Sequence, residues 1–241
     1  MRSSNPVFST IERSDSYVVS EAASYRGIIV KTMFLFIIAA ISGYYALTTA
    51  TMETIGAMLI GAFIVALISI MIATRSVRLA LPFSIVFAAA EGVILGFVTV
   101  IAEAFVPGAA LTAIIATASI FTVMLFLYSS RTIRVTPRFR RVMISILLAI
   151  LLFFILFGLL SIFGFTFPIV SYELAIGISV FLIIFGALML TLDFDRAQMI
   201  VESGADKRYE WMVSVGLMVT IIWIYIEILR LIIILSAFNR R

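Results

Sequence analysis

The sequence predicts an all-α integral membrane protein of seven transmembrane helices, and three observations carry that prediction. Hydrophobic residues make up 63% of the chain and charged residues 12%. A soluble domain holds about 45–50% and about 25%, so these charges are too few to cover a water-facing surface. Seven apolar runs are each long enough to cross a hydrocarbon core about 30 Å thick at about 1.5 Å per residue. The basic residues gather in alternate connectors, as in a chain threaded back and forth through a bilayer.

The polar stretch 1–27, of mixed charge, comes first. It has no short apolar core, so it is expected to be a cytoplasmic tail with a short surface helix, not a cleaved leader. The seven-helix transmembrane domain is expected over 28–241, with spans near 32–49, 55–73, 80–102, 109–128, 142–163, 169–192 and 212–238. Helices are required because unpaired backbone groups cannot face lipid. Lys31 marks the start of the first span, and Pro168 is expected to break the fifth from the sixth. The tail and the second, fourth and sixth connectors hold four, two, five and three basic residues, fourteen of the 17 in the chain. The opposite connectors carry Glu53, Glu103 and Glu173 and no basic residue. The N-terminus is therefore expected in the cytoplasm. No tandem repeat is visible.

With no Cys and no His, the chain cannot use disulfides, thiolates, His-ligated metals or imidazole proton shuttles. No cofactor is expected. The net charge of +4 belongs to arginines beside apolar spans, which predicts a membrane partner and no nucleic acid.

Ionisable residues inside spans are the informative ones, since each costs roughly 2.5–3.5 kcal/mol at a helix centre unless it finds a partner or a wet cavity. Glu227 and Arg230 lie three residues apart in the seventh run and share a face with Trp223, Thr220 and Gly216. That mixed stripe is expected to face the bundle. Two readings stand: a pair that fixes helix rotation, with Arg230 reaching outward, or part of an ion or proton path. Glu91 sits mid-span beside Gly92 and Gly96, whose spacing allows close backbone approach. Its carboxyl either bonds across helices while neutral or lines a cavity. Asp193 and Asp195 end the sixth run and point to nearly opposite sides of a helix, so at most one faces the bundle squarely. The cluster Arg131, Arg134, Arg138, Arg140 and Arg141 reads as a topology signal or as a site for anionic lipid headgroups.

The last third, with Leu192-Asp-Phe-Asp-Arg-Ala-Gln-Met-Ile200, Trp211 and Trp223-Ile-Tyr-Ile-Glu-Ile-Leu-Arg-Leu231, resembles the Bax inhibitor family of membrane proteins. Ser3-Ser-Asn-Pro-Val-Phe8 and Glu91-Gly-Val-Ile-Leu-Gly96 are similar to a bacterial branch that includes YccA-like members. The resemblance implies a central seventh helix wrapped by the other six, and the bacterial cell membrane as location. It also implies a pH-sensitive calcium leak, or restraint of a partner such as a membrane protease. The family's acidic pair would fall on Asp195, judged by Gln198, and on Glu227, with Asp193 still open. Some relatives carry a basic residue in the second helix; this chain has none there, and Arg230 could supply the charge.

Together these give a mechanism to test. Asp195 and Glu227 would be held together through a shared proton or bridged by Arg230, and a change of proton occupancy would move the seventh helix. Calcium, a hard cation, prefers carboxylate and carbonyl oxygens, so it could pause at Asp195 and Glu227. A non-transporting regulator docked on another membrane protein is the alternative. An enzyme is not expected: His is absent, and so is a Gly-x-Gly-Asp signature around Asp193 and Asp195.

Overall fold

The computed structural model describes residues 21–51, 53–164 and 171–239. Seven α-helices follow in order: α1 Tyr25–Thr49, α2 Ile55–Arg75, α3 Ala80–Phe105, α4 Ala109–Ser129, α5 Pro137–Ile162, α6 Tyr172–Glu202 and α7 Tyr209–Asn239. All seven are long and apolar enough to cross a membrane. Residues 1–20 of the expected tail over 1–27, and the turn at Pro168, lie outside the described residues.

Local chemistry sets the helix starts. Ser24 caps α1 by accepting a hydrogen bond from the Gly27 N–H, Thr136 caps α5 from Phe139 N–H, and Ser171 caps α6 from Leu174 N–H. Pro137 opens α5, where a missing N–H costs nothing. Glu103 receives the N–H groups of Gly108 and Ala110 at 2.7 and 2.8 Å, satisfying free donors at the start of α4.

Several helices outrun the spans read from hydropathy. α1 begins at Tyr25, α6 continues to Glu202, and α7 begins at Tyr209. The extra turns carry charged residues, among which Lys31 pairs with Glu210 and Arg140 with Asp195, so they need no apolar surroundings.

α7 is the axis of the bundle and packs against α1, α2, α3, α4 and α6. Two apolar clusters meet on it. Val215, Met218 and Ile222 join Leu35, Phe87 and Ala88 on one side. Leu217, Ile224 and Ile228 join Leu190, Phe194 and Ala113 on the other. Of the six helices expected around α7, these five pack closely on it. α5 stands off α7, and Met143 is its one buried residue. Its leucines, isoleucines and phenylalanines point all round, as in a helix surrounded by lipid.

Glycine makes the tightest contact. A Cβ on Gly43 would lie 2.6 Å from Gly92 O, and one on Gly92 would strike Ala39 O. The backbones of α1 and α3 thus touch, and Ser42 Oγ adds a bond to Ala89 O at 2.8 Å.

Candidate functional site

The seam between α6 and α7 holds the charged residues of interest. The helices run antiparallel, with Asp193 opposite Thr220 and Gly186 opposite Ile224. Gly186 makes this possible, since a Cβ there would lie 2.8 Å from Ile224 Cγ1.

Asp193 is the aspartate that faces α7. Its side chain is buried, and Oδ2 accepts the Thr220 hydroxyl at 2.6 Å. Oδ1 lies against Gly216, and Arg196 approaches the same place. The stripe Gly216, Thr220, Trp223 thus turns inward, toward α6, as its spacing predicts.

Asp195 points elsewhere. Two residues on, a helix has turned by about 200°, and Asp195 meets Arg140 of α5 at 2.5 Å. Arg140 also touches Met199 Sδ at 3.8 Å. These bonds tether the otherwise detached α5. Gln198, the landmark used to choose Asp195, accepts the Tyr128 hydroxyl at 2.6 Å and donates to Glu202. It does not serve Asp195.

Glu227 and Arg230 come within 3.7 Å of each other, with Glu227 mostly buried and Arg230 reaching outward. That separation exceeds hydrogen-bond reach, and Glu227 Oε2 has no hydrogen-bond partner among the described residues.

The expected Asp195–Glu227 pair is therefore corrected. Glu227 lies seven residues beyond Thr220, and Asp195 lies two residues the other way from Asp193. Their axial separation is roughly 13 Å at about 1.5 Å per residue, and they face different neighbours. They cannot share a proton or chelate one calcium ion. Among the described residues no three carboxylates gather at one point.

Glu91 is half-buried on α3, and no hydrogen bond or ion pair reaches it among the described residues. Its level follows from the Thr99–Tyr225 hydroxyl bond at 2.9 Å. Eight residues before each partner stand Glu91 and Leu217, because α3 and α7 run parallel. Glu91 thus shares the level of Asp193, across α7. Beyond that level, toward the Glu103 end, lie further buried polar atoms with no partner among the described residues: Thr117 Oγ1, Trp223 Nε1 and Ser179 Oγ.

Of the arginine cluster, Arg131, Arg134, Arg138 and Arg141 are exposed or half-exposed near the α4–α5 connector, while Arg140 is engaged by Asp195. Arg131 adopts a left-handed φ of 58°, turning the chain sharply between the helices.

One polar group escaped the sequence reading. Glu210, at the start of α7, is fully buried and bonded to Lys31 Nζ at 2.6 Å and Ser24 N at 2.7 Å. The signal was available: Lys31 and Glu210 are opposite charges at the same end of two spans.

No curated protein matches the chain. A family model described as Bax inhibitor 1 like matches residues 5–237. The match runs from ahead of α1 to the last turn of α7, and the seven-span bundle agrees with it. This chain therefore belongs to the Bax inhibitor 1-like family of membrane proteins.

Proposed function

We propose that this protein is a proton-sensitive cation leak, with calcium as the cation its carboxylates suit, and that the α6–α7 seam is its gate. One observation carries the reading. A buried carboxylate, Asp193, is bonded across two helices by a single hydroxyl, Thr220. Toward the Glu103 end are buried polar atoms with no hydrogen-bond partner among the described residues, Thr117 Oγ1, Ser179 Oγ, Trp223 Nε1 and Glu227 Oε2, the last with Arg230 at 3.7 Å. Such groups are costly away from water, so the stretch from Thr117 to Glu227 is a route that water or a passing cation would satisfy. Protonation of Asp193 weakens a charge-assisted bond to a neutral one and frees α7 to shift. Hard-cation preference for oxygen ligands makes calcium a suitable passenger.

In this reading the Arg-rich end faces the cytoplasm of a bacterial cell, and the exposed Arg131, Arg134, Arg138 and Arg141 meet anionic lipid phosphates. The protein moves ions and catalyses no reaction. The test is calcium entry into dye-loaded liposomes as a function of pH. A flux that rises with proton concentration and changes in Asp193→Asn and Glu227→Gln variants supports the gate. Wild-type vesicles no leakier than empty ones at any pH would defeat it.

One feature favours a second reading, a regulator docked on another membrane protein. Beyond its Arg-bearing first turns α5 is apolar on every side and packs only sparsely on the other described helices, which leaves most of a span available to a partner. Co-purification of one stoichiometric membrane protein, with no flux by the pure chain, would select it.

A further inference from the structure

The Arg-rich end holds a second cluster, separate from the seam. Residues 21–23 lie antiparallel to the α6–α7 connector, with Ala22 bridged to Asp206. Ala23 N–H donates to Ala205 O at 2.8 Å, and Lys207 N–H donates to Glu21 O at 3.0 Å. The Glu21 carboxylate also pairs with Lys207 Nζ and holds that ammonium above the ordinary lysine range. Just beyond, Ser24 N–H and Oγ both donate to Glu210 Oε1, at 2.7 and 3.2 Å. Lys31 Nζ reaches Glu210 Oε2 at 2.6 Å and Lys207 O at 3.0 Å, and lies 5.0 Å from the centre of the Trp211 ring. Gly27 leaves room for the carboxylate, since a Cβ there would strike it. One turn on, Ser214 Oγ donates to Ile28 O at 3.0 Å.

We propose that residues 21–31 are a clasp that fixes the Arg-rich end of α7 against α1, and thereby sets whether Thr220 stays within reach of Asp193. The clasp touches both the connector and the first turn of α7. Between Glu210 and Thr220 the helix buries Val213, Ser214, Val215, Leu217 and Met218. A segment packed that closely moves as a unit. Thr220 lies ten residues from Glu210, about 15 Å along the helix, and its bond to Asp193 is 2.6 Å. A tilt that displaces Thr220 by about 1 Å carries it out of hydrogen-bond range. The clasp is therefore a positioning device for the gate, built from residues that no passing ion touches.

The test has two arms, and only the flux arm rests on the leak reading. In lipid nanodiscs, amide exchange is followed along 205–224 in wild type, Lys31→Met and Gly27→Ala. The expected result is at least tenfold faster exchange extending through Thr220. The chain has no native cysteine, so an Ala22→Cys/Asp206→Cys pair can be added cleanly. Facing residues of an antiparallel bridge are about 4.5–5.5 Å apart at Cα, within disulfide reach. Oxidising that pair in the Lys31→Met background restores protection, and reduction removes it again. Exchange that is unchanged, or faster only over 205–210, overturns the proposal. In vesicles where wild type leaks calcium, Lys31→Met raises flux several-fold at neutral pH; equal flux with altered exchange also overturns the coupling. Wild-type vesicles that never leak condemn the leak reading instead, and the exchange arm alone then judges the clasp. A Gly27→Ala chain that fails to fold leaves Lys31→Met and the crosslink to decide.

Discussion

Replacing Thr220 with Val probes the proposed gate with little change of shape. Val keeps the branched side chain and removes only the hydroxyl that donates to Asp193 at 2.6 Å. A hydrogen bond to a charged group contributes about 1.5–3 kcal/mol. If that bond exists only in the closed arrangement, its loss shifts the closed-to-open ratio by that amount. At about 1.4 kcal/mol per factor of ten, the open population rises by a factor of about ten to one hundred. Asp193→Asn is the graded control, because its amide oxygen still accepts from Thr220 but without a charge. A neutral bond contributes about 0.5–1.5 kcal/mol, so this variant falls between wild type and Thr220→Val. The assay is initial calcium flux into liposomes at neutral and acidic pH, with protein per vesicle held constant. The expected order at neutral pH is wild type, then Asp193→Asn, then Thr220→Val, with the differences shrinking on acidification. Thr220→Val flux within about twofold of wild type at neutral pH, far below the calculated factor, would refute the reasoning.

Lys31→Met leaves the fully buried Glu210 without its counter-ion, which costs about 3–5 kcal/mol for a buried pair broken from one side. Urea unfolding in detergent should show that loss, and adding Glu210→Gln should recover part of it. Arg140→Gln removes a pair that is 46% and 21% exposed; after solvent screening it should cost at most about 1 kcal/mol in the same assay. A spin-label distance between α5 and α6 should nevertheless broaden, because that pair tethers α5. Gly92→Ala drives a methyl into Ala39 O, and overpacking of this kind costs about 1–3 kcal/mol; Gly61→Ala, in open space on α2, should be neutral. Glu227→Gln keeps the shape of the outer stripe and removes its charge. It should lower calcium flux relative to wild type, measured with protein per vesicle held constant.

The seven helices were legible because a bilayer demands uninterrupted apolar length, and hydropathy measures that directly. Helix ends were less so. At Tyr25 and Tyr209 the helices run on into polar residues whose partners, Lys31 and Glu210, come from opposite ends of the chain. Hydropathy read one residue at a time cannot register such pairing. The choice between Asp193 and Asp195 was within reach. Gly186, seven residues before Asp193, marks the face that approaches α7, and two helical turns return Asp193 to that face. The motif containing Gln198 pointed to Asp195, which meets Arg140 and not α7, because Gln198 serves Tyr128 instead. The isolation of α5 was not legible, since a helix apolar all round reads the same whether lipid or protein surrounds it.

The polar groups along α7 divide into two halves with opposite character. From Glu210 to Thr220 the carboxylate and hydroxyl groups are bonded: Glu210 by Ser24 and Lys31, Ser214 to Ile28 O, and Thr220 to Asp193. Beyond Thr220, Tyr225 is bonded to Thr99, but Trp223 Nε1 and Glu227 Oε2 have no hydrogen-bond partner among the described residues, and neither do Thr117 Oγ1 and Ser179 Oγ. A helix anchored by satisfied groups at one end and lined with unsatisfied ones past its middle will not move evenly. The bonded half has more bonds to lose, while beyond Thr220 the Thr99–Tyr225 hydroxyl bond and the Glu227–Arg230 pair hold the helix more sparsely. Asp193 and Thr220 stand at the boundary between the two. In the proposed leak, the outer stripe would set what passes, and the boundary pair would set when. Glu227→Gln should therefore change how much calcium moves without moving the pH at which flow begins, whereas Thr220→Val should move that pH.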